Sequence, residues 1–358
     1  MSDAATAAPP LRFPFDAPKP GRCLKIAEGV IWARLPLPFE LDHINIYFLK
    51  DDAGWTVVDT GLGDEHTRAL LAKMLDRELG GAPVVRVICT HMHPDHIGQA
   101  GWLCRRYDAP LWMSRLEYLS ARMLIADEPP APQEAVDFLV AAGWEDKWID
   151  DYKERYGGFG KGVRPMPQAY TRIEDRDDIA IGDRVWRVIT GAGHSPEHVC
   201  LWQPEMKLFI SGDQVLPKIS SNVSVWPTEP AADPLNDWLL SCWRLMAAIP
   251  DEVLVLPSHN TPFHGLHARL DSLIEGHHKR LERVMEALDA PRRVVDLLPK
   301  LFGRKLKGHD HMMATGETLA HLNYLVRKGR ARYELDASRI AWFSREDDAE
   351  ADPDAELA

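Results

Sequence analysis

The chain has 358 residues, an apolar fraction of 45% and a formal net charge of -12, with a pI near 5.7. That length suits one large core or two domains, and that charge argues against a bulk, sequence-independent grip on nucleic acid while leaving room for a local basic patch. Cys23, Cys89, Cys104, Cys200 and Cys242 are scattered without a CxxC pair, which points to reduced thiols in a cytosolic protein and away from a disulfide framework or a cysteine zinc site.

Residues 1–21, "MSDAATAAPPLRFPFDAPKPG", lack a basic stretch followed by an apolar run. They read as a loose arm and not a signal peptide. No later run approaches the ~18 apolar residues of a membrane span, so no membrane partner is expected. "GVIWARL", "INIYFLK" and "GWTVVDTG" follow as strands, with turn residues between the last two. "DEHTRALLAKMLDREL" has the helical spacing Leu70, Leu71, Met74, Leu75, Leu79. "VVRVICT" reads as a buried strand, "GQAGWLCRRY" as a helix and "PLWMS" as a short strand. Residues 115–170 form a largely helical insertion rich in Trp and Tyr. Strands then resume as "DIAIGDR", "VWRVITG", "VCLWQ", "LFISGD" and "EVLVLPSH", with the helix "NDWLLSCWRLMAAI" before the last. The expected boundaries are a catalytic domain over 22–268, a C-terminal domain over 269–345 and an acidic, solvated tail over 346–358. The C-terminal domain reads as helix, helix, helix and hairpin, an order similar to a winged-helix unit.

"THMHPDHIG" follows the strand "VVRVICT" and places His91, His93, Asp95 and His96 within six positions. Pro94 suits a break between strand and helix. A turn there lets residues two and three apart converge, and imidazole with carboxylate suits zinc, manganese or iron. Other strand ends offer more ligands: His194 in "TGAGHSPEH", Asp213 in "LFISGD" and His259 in "EVLVLPSH". Loops at strand ends are where a rigid sheet can position ligands.

These motifs, with "VVDTGLG" ahead of them, resemble the metallo-β-lactamase-fold hydrolases, a superfamily that includes glyoxalase II, lactonases and nuclease branches. The resemblance covers residues 22–268. It implies an α/β fold, a four-layer αββα sandwich with a metal centre along one edge. His91, His93 and His194 resemble the ligands of one metal, and Asp95, His96 and His259 those of a second. Asp213 resembles the bridging carboxylate, and Asp59 a carboxylate that orients the ligand loop. His198 is placed either beside the ligands or on the surface. Where the family often has Gly-His-Gly, this chain has Ser258-His259-Asn260; the imidazole is kept. The implied cofactors are two divalent ions, zinc first, with iron or manganese as alternatives. Such a pair shares a hydroxide, because metal binding lowers the pKa of water from ~15.7 to ~7. Asp95 would orient it and pass a proton to the leaving group. An aspartate at 213 also makes β-lactam hydrolysis an unexpected activity, since that branch has cysteine or serine there.

The remaining histidines, His43 among them, read as packed or exposed residues without a ligand role. Trp144, Trp148, Tyr152, Tyr156 and Phe159 read as core, or as a wall of the insertion that selects an apolar acyl group. Between 279 and 332 basic residues outnumber acidic ones. A solvated helix face is the expectation there, with an anion or nucleic-acid surface as the rival. The expected activity is hydrolysis of a small thioester, ester or lactone in the cytoplasm, with a homodimer possible in principle. A ribonuclease and a non-hydrolytic redox module are the alternatives.

Overall fold

The computed structural model describes residues 11–163, 165–303, 306 and 309–346. Arg304, Lys305 and Lys307 of the basic segment, most of the acidic tail and the first ten residues lie outside these. The chain divides into two compact units. The first contains residues 1–127, 157–221 and 241–272.

Two sheets form the centre of the first unit. One has seven strands in sequential order: β1 (Arg22–Ala27), β2 (Val30–Pro36), β3 (His43–Lys50), β4 (Trp55–Val58), β5 (Val84–Ile88), β6 (Leu111–Met113) and β7 (Thr171–Arg172). The other runs β12 (Leu254–Pro257), β11 (Leu208–Gly212), β10 (His198–Gln203), β9 (Arg184–Gly191), β8 (Asp178–Ile181). Successive side chains on a strand point to opposite faces, and the apolar residues divide accordingly. Trp32, Tyr47, Val58 and Ile88 join Trp186, Val188, Val199, Leu201, Ile210 and Leu256 in one core shared by the two sheets. Each large apolar side chain buried this fully contributes roughly 1.5–3 kcal/mol. Ala33, Leu35, Ile44, Ile46 and Phe48 face the other way, into a second core.

That second core is completed by helices α1 (Glu65–Glu78), α3 (Ala100–Tyr107) and α4 (Arg115–Ala126), through Leu71, Met74 and Leu75, Ala100 and Leu103, and Tyr118 and Ala121. A single-turn helix, α2 (Pro94–Ile97), separates β5 from α3. Beside the second sheet lies the C-terminal half of α7 (Pro234–Ala248). Its Ser241 hydroxyl accepts from Ala192 N at 2.8 Å, and Arg244 pairs with Asp175 at 3.0 Å. The order of layers is the expected αββα. Residues 11–21 are not all loose: Arg12 bridges His264, donating at 3.2 Å and accepting at 2.9 Å.

The second unit contains residues 128–156, 222–240 and 273–358. The helical segment of 115–170 is therefore divided, with α4 in the first unit and α5 (Gln133–Ala141) and α6 (Asp146–Arg155) in the second. These join most of α8 (Leu266–Ala287), then α9 (Val294–Phe302), α10 (His309–Arg327) and the hairpin β13 (Ala331–Leu335) and β14 (Ala341–Arg345). Trp144 donates its indole N–H to Thr315 at 3.0 Å, and Trp148 stacks on His311 at 4.9 Å. The aromatic residues of α6 and the turn before it thus pack within this unit. Helix α10 begins at His309, and Met312 and Ala314 in its first two turns are buried. All five cysteines are free, and no helix among the described residues is long and apolar enough to cross a membrane.

Candidate metal centre

The seven ligand candidates leave from the loops that follow β5, β9, β11 and β12, and Asp59 follows β4. After β5, His93 is the residue before α2, with an extended ψ of 147°, and Pro94 takes the first helical position. Proline there is preset for the helix and has no N–H to leave unpaired. The turn brings His91 and His96 side by side, ring centroids 3.9 Å apart, and puts His91 Nε2 2.8 Å from His93 Nδ1. Gly98 closes this loop against the 61–63 loop; a Cβ there would fall 2.2 Å from Gly63 N.

Three groups of side chains converge closely enough to share an ion: His91, His93 and His194; His91, His96 and Asp213; Asp95, His96 and His259. All seven ligand candidates are thus brought to one place. Asp213 lies between two sets. Its Oδ1 is 3.6 Å from His96 Nε2 and 3.4 Å from His259 Nε2, and its Oδ2 is 3.6 Å from His194 Nε2. Asp95 Oδ2 is 3.6 Å from His96 Nε2 and 3.5 Å from His259 Nε2. Two donors each ~2.1 Å from a tetrahedral ion are about 3.4 Å apart. The observed separations match that spacing and exceed normal hydrogen bonds. His96 Nε2 and Asp213 Oδ1 are fully buried and make no hydrogen bond, a costly arrangement unless something else satisfies them. The donor set fits divalent cations.

The other ring nitrogens explain why these lone pairs face inward. His96 Nδ1 donates to Asp59 Oδ2 at 2.9 Å, and His259 Nδ1 donates to the His43 carbonyl at 2.7 Å. His91 Nδ1 lies 3.1 Å from the Thr90 hydroxyl. An outer hydrogen bond of this kind sets the tautomer and leaves Nε2 as the ligand atom. Asp59 also accepts from Thr90 N at 2.8 Å, and it holds the left-handed φ of 61° that aspartate tolerates. Its hydrogen bonds thus tie Thr90 and His96 together in the loop that carries the ligand candidates.

His198 is buried and stacks on His91 with centroids 4.7 Å apart. Its Nε2 accepts from Asp213 N at 3.0 Å, so it holds the backbone of Asp213. Burial, with His194 adding to it, lowers its pKa to about 3, consistent with a neutral acceptor ring. Gly212 makes room for that ring: at φ +53° an added Cβ would fall 2.4 Å from His198 Cε1. Burial alone would raise Asp213, but His259 and His96 hold it well below the usual carboxylate range. Burial likewise opposes a charged His96, yet Asp95, Asp59 and Asp213 raise it well above the usual imidazole range. Burial and the neighbouring imidazoles push His91 and His93 well below it. In the ion-free protein the carboxylates thus draw protons onto His96, which a cation would displace; binding should weaken as pH falls.

Sequence reading missed several supports. His43 was assigned no role, yet its carbonyl aims His259 and its Nε2 accepts from Asn260 N at 2.7 Å. Asn45 Nδ2 and Tyr47 OH both donate to the Pro257 carbonyl, at 2.9 and 2.8 Å, fixing the end of β12. Glu117, inside α4, accepts from Met92 N and Glu197 N. Only His43 carried a sequence signal, as a histidine in "LDHINIYFL".

Residues 40–259 match the model of the metallo-beta-lactamase superfamily, and residues 281–346 that of a metallo-beta-lactamase-like C-terminal domain. The chain belongs to the metallo-β-lactamase superfamily. Within it, the crystal structure of a beta-lactamase domain protein from Burkholderia ambifaria has a TM-score of 0.87 at 39% identity, covering 94% of this chain and 98% of that one. A probable metallo-hydrolase of Bacillus subtilis, YqjP, is 24% identical over 83% of this chain and 92% of its own. The acyl-coenzyme A thioesterase MBLAC2 of Gallus gallus is 25% identical over 66% of this chain and 80% of its own. The exodeoxyribonuclease YycJ of Bacillus anthracis is 28% identical over 41% of this chain and 55% of its own. The chain is thus a metallo-β-lactamase-fold hydrolase.

Proposed function

We propose that the protein hydrolyses a small thioester, with lactones and oxygen esters as the neighbouring class, using two divalent ions. The observation that carries this reading is Asp213, which turns one carboxylate oxygen toward His96 and His259 and the other toward His194. Divalent ions held by these groups would polarise the electrophilic oxygen and lower the pKa of water from ~15.7 toward ~7. Asp213 supplies buried negative charge between two sets of neutral imidazoles, so that two cations can be tolerated close together. Asp59, the His43 carbonyl and Thr90 keep the rings from rotating, so little reorganisation remains for the reaction itself. Asp95 is the most exposed carboxylate of the set, with its side chain 20% accessible. With Oδ2 turned to His96 and His259, its Oδ1 is the atom that can take up a proton and pass it to the leaving thiol or alcohol.

The thioester is favoured over the phosphodiester on two grounds. MBLAC2 relatives bear an acyl-coenzyme A thioesterase name over 80% of their length. Many cations of the basic C-terminal segment are already paired with carboxylates: Arg280 with Glu317 at 3.2 Å, Arg292 with Asp289 at 2.8 Å, Arg293 with Asp296 at 2.8 Å and Arg332 with Glu346 at 3.0 Å. A nucleic-acid surface needs cations that phosphates can reach.

The test is thiol release from a panel of acyl-CoA and glutathione thioesters, using protein loaded separately with zinc, manganese and iron. Lactones and RNA serve as further arms. Chelator-sensitive release from at least one thioester is the expected result. Turnover of RNA alone would overturn the reading in favour of a nuclease.

A further inference from the structure

Glu117 has no part in the reaction described above, yet it is fully buried in the first turn of α4. Its Oε2 accepts from Met92 N at 2.9 Å and its Oε1 from Glu197 N at 2.8 Å. Met92 lies between His91 and His93. Glu197 lies between His194 and His198. One carboxylate therefore ties together the two loops that carry the first candidate ligand group. The start of α4 adds two further bonds to the same place: Ser114 Oγ donates to the Glu197 carbonyl at 2.7 Å, and Leu116 N donates to Glu197 Oε2 at 2.9 Å.

We propose that Glu117 is a positioning residue that sets the spacing of His91 and His93 from His194. The geometry stands by itself; its consequence for ion binding rests on the metal reading above. Two loop amides buried at this depth need acceptors. A carboxylate offers both oxygens, about 2.2 Å apart, as acceptors for two N–H donors at once. No neutral side chain of the same size can do this. Glutamine presents one acceptor and turns its NH₂ group toward the second amide, so one loop is released without creating a cavity. The second candidate group, Asp95, His96 and His259, is held by other means: Asp59 on His96 and the His43 carbonyl on His259. Loss of Glu117 should therefore act on one ion and spare the other. A general loss of stability would act on both.

The test compares wild type with Glu117→Gln. Zinc affinity is measured by chelator competition on metal-stripped protein, resolving the two binding steps. Backbone exchange is followed by mass spectrometry on metal-free samples. One binding step should weaken ten- to a hundredfold, the range found when a ligand loses its outer support, while the other keeps its wild-type value. Peptides covering 91–93 or 195–198 should exchange faster, and the peptide covering 258–260 should not. Unchanged exchange in both loops would overturn the clamp itself. Faster loop exchange with both zinc steps unchanged, or both weakened equally, would overturn its role in spacing the ligands. A wild type that binds no zinc would overturn the metal reading, and the exchange data would still decide whether Glu117 ties the loops.

Discussion

Asp213→Ala should lose hydrolysis on the order of 10³-fold or more in kcat/KM, about 4 kcal/mol of transition-state stabilisation. The reason is the position of this carboxylate. It is buried, it faces histidines of both ligand groups at 3.4 to 3.6 Å, and its backbone N–H is held by His198. Ser221 adds a hydroxyl donated to its carbonyl. Alanine removes the carboxylate that faces both imidazole sets and leaves the supporting bonds to the backbone in place. The fold should therefore survive while the site loses its bridge. Thiol release on the best substrate of the panel, compared at saturating metal, reads this directly. Activity within tenfold of wild type would mean that Asp213 does not bridge.

Asp59→Asn should weaken divalent-ion binding ten- to a hundredfold and cost about 1–3 kcal/mol of stability. Asparagine tolerates the φ of 61° found here, so the backbone is not the variable. What changes is the hydrogen bonding. Asp59 accepts from Thr90 N at 2.8 Å, from the Thr90 hydroxyl at 2.9 Å and from His96 Nδ1 at 2.9 Å. An amide has one oxygen for these donors, and its NH₂ must face another. Whichever way it turns, His96 or the turn at Thr90 loses its anchor. Chelator competition measures the first effect and denaturant unfolding of the stripped protein the second. Wild-type affinity in this variant would show that His96 is oriented by packing alone.

The ligands were legible in the sequence because their spacing is local. His91, His93, Asp95 and His96 sit on one turn, and Pro94 marks where that turn becomes a helix. His194, Asp213 and His259 were legible as polar residues just past apolar strands, and the family motif then sorted them into sets. Of their supports, Asp59 was legible through the family motif; His43, Glu117, Asn45 and Tyr47 were not, for physical reasons. His259 is aimed by a backbone carbonyl, which any residue at 43 would supply. Glu117 meets Glu197 across a sequence separation of 80, and nothing near it in the helix marks it as different from a surface glutamate. Asn45 and Tyr47 share the alternation of any half-buried strand. Among the elements, β1 has the sequence RCLKIA, too short and mixed to announce a strand before its pairing with β2 is known. The chain order of helices near 115–155 was legible, but their division between compact units depends on contacts far along the chain.

We propose that this chain holds two divalent ions through seven side chains, with Asp213 facing both sites. Counting ions per chain tests it most directly. Metal-stripped wild type and Asp213→Ala would be reloaded with zinc, freed of excess ion and analysed by elemental mass spectrometry. Two ions per wild-type chain and fewer in the variant are expected, with binding that weakens as pH falls. A wild-type chain that retains none, or a variant that retains two with undiminished affinity, would contradict it.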